Sequence, residues 1–157
     1  MSRGYRLRSE ATEQEDVISW CSHHERMYPE LKWIHHCPNG GNRQKAEASR
    51  LKAQGVKSGV PDLHLPIHKG SYIGLYIEMK YDKGRLEPTQ KEWLTAMADA
   101  GHFACVCYGY DYAVKVIEDY VRLLPGQIMG WENGSVLKQR EKDSFELDKK
   151  RWKEVEL

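Results

Sequence analysis

Residues 59–80 read GVPDLHLPIHKGSYIGLYIEMK, and this stretch decides the fold. Two apolar runs, over 62–65 and 72–80, are separated by a short polar segment that contains Gly70. Apolar runs rich in Ile, Leu and Tyr around a glycine turn are typical of a β-hairpin. The sequence therefore predicts two antiparallel strands whose pairing is centred on Gly70.

That pairing has a chemical consequence at the far end of the hairpin. A centre at Gly70 places Asp62 opposite Glu78, and side-chain alternation puts Glu78 and Lys80 on one face of the second strand. Two carboxylates are suitable hard-oxygen ligands for Mg²⁺ or Mn²⁺, and the main-chain carbonyl of Met79 is a further candidate ligand. An acid and a lysine two positions apart are more often a simple surface ion pair. The position of Asp62 opposite Glu78 favours a metal site over a surface ion pair.

Hydrophobic spacing predicts the remaining elements on either side of the hairpin. They are a first helix that begins with Thr12 as its N-cap and ends near Tyr28-Pro29, a strand over 31–37, a basic helix over 43–54, a helix from Pro88 to about Ala100, a strand over 103–108 and a helix over 110–124. Gly55 is expected to end the basic helix. Helices interleaved with strands predict an α/β sandwich with a mixed central sheet flanked by helices.

The bulk composition favours one folded domain. The chain has 157 residues, 40% of them hydrophobic and 30% charged, which suits a globular domain with its own core. No apolar run approaches the length of a membrane helix, so we expect no membrane partner and a cytoplasmic location. Pro125-Gly126 marks a boundary, with a domain over 1–124 and a charged C-terminal extension over 125–157.

Charge is uneven along the chain, although the net charge is only +1. Residues 41–58, just before the hairpin, form a basic segment that contains only one acid, Glu47. A local excess of this kind is suited to phosphate groups, although it also occurs on solvated helix faces. The candidate phosphate contacts are Arg43, Lys45, Arg50, Lys52 and Lys57. Asn39 and the two glycines after it are candidates to bring main-chain groups to a phosphate, with a plain turn as the alternative.

Three segments together carry a family resemblance. Residues 55–63 (GVKSGVPDL), residues 77–80 (IEMK) and Gln90 resemble the VRR-NUC (virus-type replication-repair nuclease) family of the PD-(D/E)xK nuclease superfamily. Residues 38–41 and 50–52 are similar to its upstream segments, and the likeness covers about residues 12–122. The resemblance implies a restriction-endonuclease-like sandwich.

The resemblance also implies roles for individual residues. Asp62 and Glu78 would be metal ligands, Lys80 the catalytic lysine, and Gln90 the glutamine near the scissile phosphate. The alternative for Gln90 is an ordinary polar residue on a helix face. The family places a further acid on the first helix, and Glu13 is our choice. The alternatives are Glu10 and, less favoured, Glu15, or a helix N-terminal acid that only serves the helix dipole.

Histidines and cysteines offer weaker signals. His35 and His36 are candidates for a second metal site, although structural histidines are commoner, and His64 is a candidate substrate contact. We expect Trp93 in the core. No CxxC pair is present, so a structural zinc site is not expected. Four cysteines are expected to be reduced thiols: Cys21, Cys37, Cys105 and Cys107.

These observations predict a metal-dependent DNA endonuclease. The resemblance implies a Holliday junction or another branched DNA as the substrate, and the expected form is then a homodimer, because junction cleavage needs two active sites. The small size would fit a phage protein that acts in the host cytoplasm. The alternatives are a non-catalytic nucleic-acid-binding module with the same fold and a structural protein whose charged extension docks to a partner.

Overall fold

The computed structural model describes residues 7–39 and 44–138. Its α-helices are α1 (Glu10–His24), α2 (Lys45–Ala53), α3 (Pro88–Asp99) and α4 (Tyr110–Val121), with a 3-10 helix at Pro29–Trp33. Its strands are β1 (His35–His36), β2 (Leu63–Leu65), β3 (Leu75–Lys80), β4 (Phe103–Tyr108) and β5 (Val136–Leu137). None of these helices is long and apolar enough to cross a membrane.

The strands form one mixed sheet in the order β1-β2-β3-β4-β5. The β1-β2 and β2-β3 pairs are antiparallel, and the β3-β4 and β4-β5 pairs are parallel. A parallel pair needs a crossover, and α3 supplies it between β3 and β4. This arrangement confirms the predicted α/β sandwich with a mixed central sheet.

Alternating side chains divide the sheet between two helical layers. On one face, residues such as Ile77, Met79 and Cys105 pack with α1 and α4 in the main core. On the other face, Ala104 and Val106 pack with Leu94 of α3. Glu78 and Lys80 alternate with Ile77 and Met79, so they lie on the α3 face of the sheet.

The β2-β3 hairpin has the predicted register. Leu63 pairs with Ile77 and Leu65 with Leu75, which centres the pairing on Gly70. Reciprocal main-chain hydrogen bonds between Lys69 and Tyr72 close the turn. Gly70 has a φ of 56°, a conformation that suits glycine in such turns.

Gly59 brings the loop before β2 directly against the start of α3. Its φ is +84°, and a Cβ added there would lie 2.6 Å from the Thr89 carbonyl carbon. The indole Nε1 of Trp93 donates a hydrogen bond to the Ser58 carbonyl (3.1 Å). The loop that carries Asp62 is therefore fixed to α3 by a contact that only glycine permits.

The first helix begins earlier than predicted. Ser9, not Thr12, is the N-cap: the Ser9 side chain accepts from the Thr12 N–H, and Thr12 Oγ1 accepts from the Ser9 N–H. This capping box satisfies two groups at the start of the helix. The helix also ends earlier, at His24. The strand predicted over 31–37 is wrong for most of its length, because Pro29 opens a 3-10 helix at its first position and only two strand residues follow.

Other boundaries shift by a few residues. β3 begins at Leu75 and not at Tyr72, because Tyr72 belongs to the turn, and α4 ends at Val121 and not at 124. The start of the basic helix at residue 43 lies outside the described residues, and its described part is Lys45–Ala53. Gly55 and Val56 donate to Lys52 and Leu51 carbonyls beyond its end, which confirms the glycine stop.

The described part of the proposed C-terminal extension packs on the domain. β5 adds a parallel strand beside β4, and Met129 and Leu137 join the main core. The charged stretch from 139 onward lies outside the described residues. Within the described residues 125–138, Met129 and Leu137 are therefore buried in the core of the domain that precedes them, and most of their neighbours are exposed.

A glycine-to-alanine pair tests the contact between the Asp62 loop and α3. Gly59→Ala and Gly55→Ala both place a Cβ on a residue of positive φ, but only position 59 also meets backbone atoms. We expect Gly59→Ala to lower the free energy of unfolding by about 1–3 kcal/mol more than Gly55→Ala does. Urea denaturation measures both values, and equal losses would show that the close approach does not matter.

Candidate active site

Glu78 lies at the centre of the site and is almost fully buried, with 1% of its surface exposed. Its Oε1 accepts a hydrogen bond from Lys80 Nζ at 3.0 Å. Its Oε2 is buried and has no hydrogen-bond partner among the described residues. A buried carboxylate oxygen without a partner is costly, so this atom marks a position where a ligand is expected.

Asp62 reaches the site from the start of β2. Continuing the hairpin register by one residue places it opposite Glu78. Its Oδ2 accepts from the Met79 main-chain N–H at 2.8 Å, and its main-chain carbonyl accepts from the Cys37 N–H at 2.9 Å. These contacts fix the carboxylate between β1 and β3.

Glu10 supplies a third carboxylate from the first turn of α1. Its Oε1 lies 3.7 Å from Lys80 Nζ. One oxygen from each of Glu10, Asp62 and Glu78 lies within 4.8 Å of the others. Among the sequence predictions Glu10 is the alternative to Glu13, which is favoured there because it shares a helix face with Val17 and Trp20.

Mutual repulsion and burial disturb the titration of this group. Burial and then the charge of Asp62 raise the pKa of Glu78 to about 7, against the opposing effect of Lys80. Burial is also the largest cause of the raised pKa of Asp62 and of Glu10. Burial alone would lower the pKa of Lys80, but the hydrogen bond and charge of Glu78, followed by Glu10 and Asp62, raise it.

A divalent cation fits this donor set. Three carboxylates converge, one buried oxygen has no partner among the described residues, and a single ammonium group does not balance three negative charges. Hard oxygen donors are the preferred ligands of Mg²⁺ and Mn²⁺. Asp62, Glu78 and Glu10 are therefore the side chains that would hold such an ion.

The structure does not bring Glu13 to this group. Its Oε2 accepts from the Tyr110 main-chain N–H at 2.7 Å, at the start of α4, and its Oε1 lies 3.0 Å from an Arg8 guanidinium nitrogen. A carboxylate at a helix N-terminus satisfies an unpaired N–H and the helix dipole. These contacts give Glu13 a structural role between α1 and α4.

Gln90 lies at the third position of α3, on the helix that covers the site face. Its side-chain oxygen accepts from the Glu87 main-chain N–H at 2.9 Å, as part of a capping box. The contact fixes the start of α3, which the Gly59 loop also touches. It leaves the amide nitrogen of Gln90 as the group for any role toward a phosphate.

The basic candidates are exposed. α2 buries none of its residues, and the side chains of Lys45, Arg50, Lys52 and Lys57 lie in solvent. Arg43 and the glycines after Asn39 lie outside the described residues. The Asn39 amide donates to the Val60 carbonyl, so this side chain helps to hold the loop before Asp62.

The histidine expectations change in one respect. His35, Cys37 and His64 come together, with one possible ligand atom from each within 4.8 Å of the others, whereas the Nδ1 of His36 lies 2.7 Å from the Asp62 carbonyl. Cysteine spacing does not predict Cys37 as a ligand, because the sequence contains no CxxC pair. The available signal was alternation, which puts His35 and Cys37 on one face.

His64 and Trp93 also have defined positions. Burial, then the charges of His35 and His102, lower the pKa of His64 to about 4, so its ring is neutral at ordinary pH. Trp93 is half-buried and not in the core, because its indole contacts the loop at Ser58.

Paired substitutions distinguish the two glutamates of α1. Glu10→Gln should weaken Mn²⁺ binding, because it removes one of the three carboxylates that would hold the ion. The same substitution should leave thermal stability nearly unchanged. Glu13→Gln should leave Mn²⁺ binding unchanged and lower the free energy of unfolding by about 1 kcal/mol, because it replaces charged hydrogen bonds with neutral ones. Calorimetric titration and thermal denaturation measure both. Weaker Mn²⁺ binding by Glu13→Gln, with unchanged binding by Glu10→Gln, would instead show that Glu13 is the metal ligand on α1.

The pKa of Glu78 predicts a pH dependence of stability in the absence of metal. Between the ordinary value of 4.5 and about 7, the folded protein binds the Glu78 proton more tightly than the unfolded chain does. The free energy of unfolding contributed by this group therefore falls as pH rises through this window. A saturating divalent cation should offset the loss.

Thermal denaturation of metal-free wild type and Glu78→Gln across this pH range checks the effect. The melting temperature of the wild type should fall relative to that of the variant as pH rises. A difference that stays constant with pH would contradict the assignment.

Two comparisons with known proteins show the family of this chain. The family model of the VRR-NUC domain matches residues 8–111. A solved structure described as a "VRR_NUC domain protein" is 34% identical, with a TM-score of 0.64, over 76% of this chain and 93% of that chain. Among curated proteins, none matches this chain. The chain therefore belongs to the VRR-NUC domain family, whose domain is a nuclease-type module that acts on DNA.

Proposed function

We propose that this protein is a metal-dependent DNA endonuclease that hydrolyses phosphodiester bonds. The observation that carries the proposal is the environment of Glu78. One of its carboxylate oxygens accepts a hydrogen bond from Lys80, and the other is buried without a partner among the described residues. Two further carboxylates, of Asp62 and Glu10, lie close by. A purely structural ion pair would not need Asp62 and Glu10 beside it, since each added carboxylate raises the electrostatic cost.

Asp62, Glu78 and Glu10 would hold Mg²⁺ or Mn²⁺, with the Met79 carbonyl as a further proposed ligand. A bound divalent cation supplies Lewis acidity, which neutralises charge on the phosphoryl oxygen and makes a nearby water more acidic. The protein supplies the geometry: Met79 N–H orients Asp62, and the hairpin register sets the spacing of Asp62 and Glu78.

Lys80 would act on the reacting phosphate or on the attacking water. Its pKa is raised above the ordinary value, so its amine is charged at neutral pH and acts as a hydrogen-bond donor. A positioned ammonium group stabilises negative charge that develops on the phosphate. Its hydrogen bond to Glu78 Oε1 holds it beside the oxygens that would bind metal.

Gln90 and the basic residues would position the DNA. Gln90 lies at the start of α3, with its carbonyl used in the helix cap and its amide nitrogen available to a phosphate oxygen. The exposed basic side chains of α2 and Lys57 would contact the DNA backbone without reading sequence. Arg43, which lies outside the described residues, and Asn39 stay in the proposal as phosphate contacts.

We infer that the substrate is branched DNA and that the active form is a homodimer. A domain of this size has little surface for base-specific readout, which favours recognition of DNA shape. Paired incisions across a junction need two active sites at a fixed spacing, and a two-fold dimer provides this. We place the activity in the cytoplasm.

Cleavage of a panel of DNAs tests the proposal. Four-way junctions, flaps, splayed arms and plain duplex are incubated with wild type in Mg²⁺ or Mn²⁺. We expect cleavage, preferentially of branched substrates, and a loss of at least about 100-fold for Asp62→Asn and for Lys80→Met. Asp99→Asn and Lys115→Met are matched controls on exposed helical positions and should retain activity.

Two outcomes would contradict the proposal. Equal cleavage by wild type and both site variants would indicate a contaminating nuclease or a different active site. Salt-sensitive binding of DNA without cleavage by the wild type would instead support the alternative, a non-catalytic nucleic-acid-binding module with this fold.

A further inference from the structure

A second cluster, next to the carboxylates of Glu10, Asp62 and Glu78, is formed by His35, Cys37 and His64. β1 and β2 pair so that His35 lies directly opposite His64, and the same register places Cys37 opposite Asp62. Alternation puts all three side chains on the face that also carries Glu78. One possible ligand atom from each residue lies within 4.8 Å of the others.

Two of the three side chains are already oriented. The Nδ1 of His35 lies 3.0 Å from the Trp33 carbonyl, so a proton on Nδ1 leaves the lone pair on Nε2. A metal-binding histidine commonly has its other ring nitrogen held in this way. The His64 ring stacks on Tyr76 with centroids 4.2 Å apart and an angle of 2° between planes. Stacking uses the ring face, whereas metal binding uses the in-plane lone pair, so both contacts are compatible.

We propose that His35, Cys37 and His64 bind one Zn²⁺-like transition-metal ion at a second site, separate from the carboxylates. Two imidazoles and one thiolate are a soft to borderline donor set, which selects zinc-type ions over Mg²⁺. In a tetrahedral zinc site such donors lie about 3.3–3.6 Å apart, so atoms that already lie within 4.8 Å of one another must approach by at most about 1.5 Å. His35 is exposed, which leaves access from solvent and a fourth position for water.

Binding has a defined proton balance. Burial, and then the charge of Asp62, raise the pKa of the Cys37 thiol, so it is protonated before the ion arrives. The ion forms a bond to sulfur, and the thiol proton passes to solvent. A dication with one thiolate leaves a single positive charge beside Asp62. The ion would also link the two-residue strand β1 to β2 at the edge of the sheet.

Cobalt absorption tests this site in the 157-residue chain without a polyhistidine tag. Co²⁺ is titrated into the protein in excess Mg²⁺, which occupies the carboxylates. We expect one Co²⁺ per chain with strong visible bands of a tetrahedral site and near-ultraviolet charge transfer from thiolate. Cys37→Ser should abolish the charge transfer, and His35→Gln, at an exposed position, should weaken binding by at least about 10-fold.

His36→Gln, on the other side of the same strand, and Glu78→Gln should both retain the charge transfer. Failure of the nuclease proposal would leave this spectrum unchanged, so the two are tested separately. A wild-type spectrum without thiolate charge transfer would overturn the proposal. So would equal Co²⁺ binding by Cys37→Ser and wild type, or loss of binding in Glu78→Gln alone.

Discussion

The buried carboxylate of Glu78 places the tightest constraint on this protein. One of its oxygens is held by Lys80, and the other has no partner in the described part of the chain. Burial and two neighbouring carboxylates make its charge costly, which its raised pKa reflects. A cation among the three carboxylates removes this cost, so the affinity for metal and the strain of the metal-free site have the same origin.

The rest of the fold serves to keep these charges together. The hairpin register sets Asp62 opposite Glu78, and the Met79 N–H fixes the Asp62 carboxylate. Gly59 allows the loop before Asp62 to touch the start of α3. Apolar packing on the opposite face of the sheet, around Ile77 and Met79, stabilises the fold and offsets the cost of holding these charges close together. The site is therefore built from β3, the loop that leads into β2 and the first turn of α1.

Patterns with strict geometry could be read from the sequence. Alternation and a central Gly70 were enough to place Asp62, Glu78 and Lys80 together, because strand pairing permits few registers. Local cues with near-equal alternatives were less informative. Ser9 and Thr12 both suit an N-cap, and their reciprocal bonds in three dimensions decide which one begins α1. With Ser9 as the N-cap, Glu10 lies in the first turn of α1. Glu10, and not the predicted Glu13, therefore joins Asp62 and Glu78. The proximity of Cys37 to two histidines depends on the β1-β2 pairing, which the sequence of a two-residue strand does not indicate.

The most direct test of the account is a crystal structure of the wild-type protein with Mn²⁺, using anomalous scattering to locate the metal. We expect an anomalous peak bound by oxygens of Asp62 and Glu78, with Glu10 beside it and Lys80 within hydrogen-bond distance of Glu78. A Mn²⁺-saturated crystal with no peak among these carboxylates, or with their side chains directed to different faces of the sheet, would contradict it.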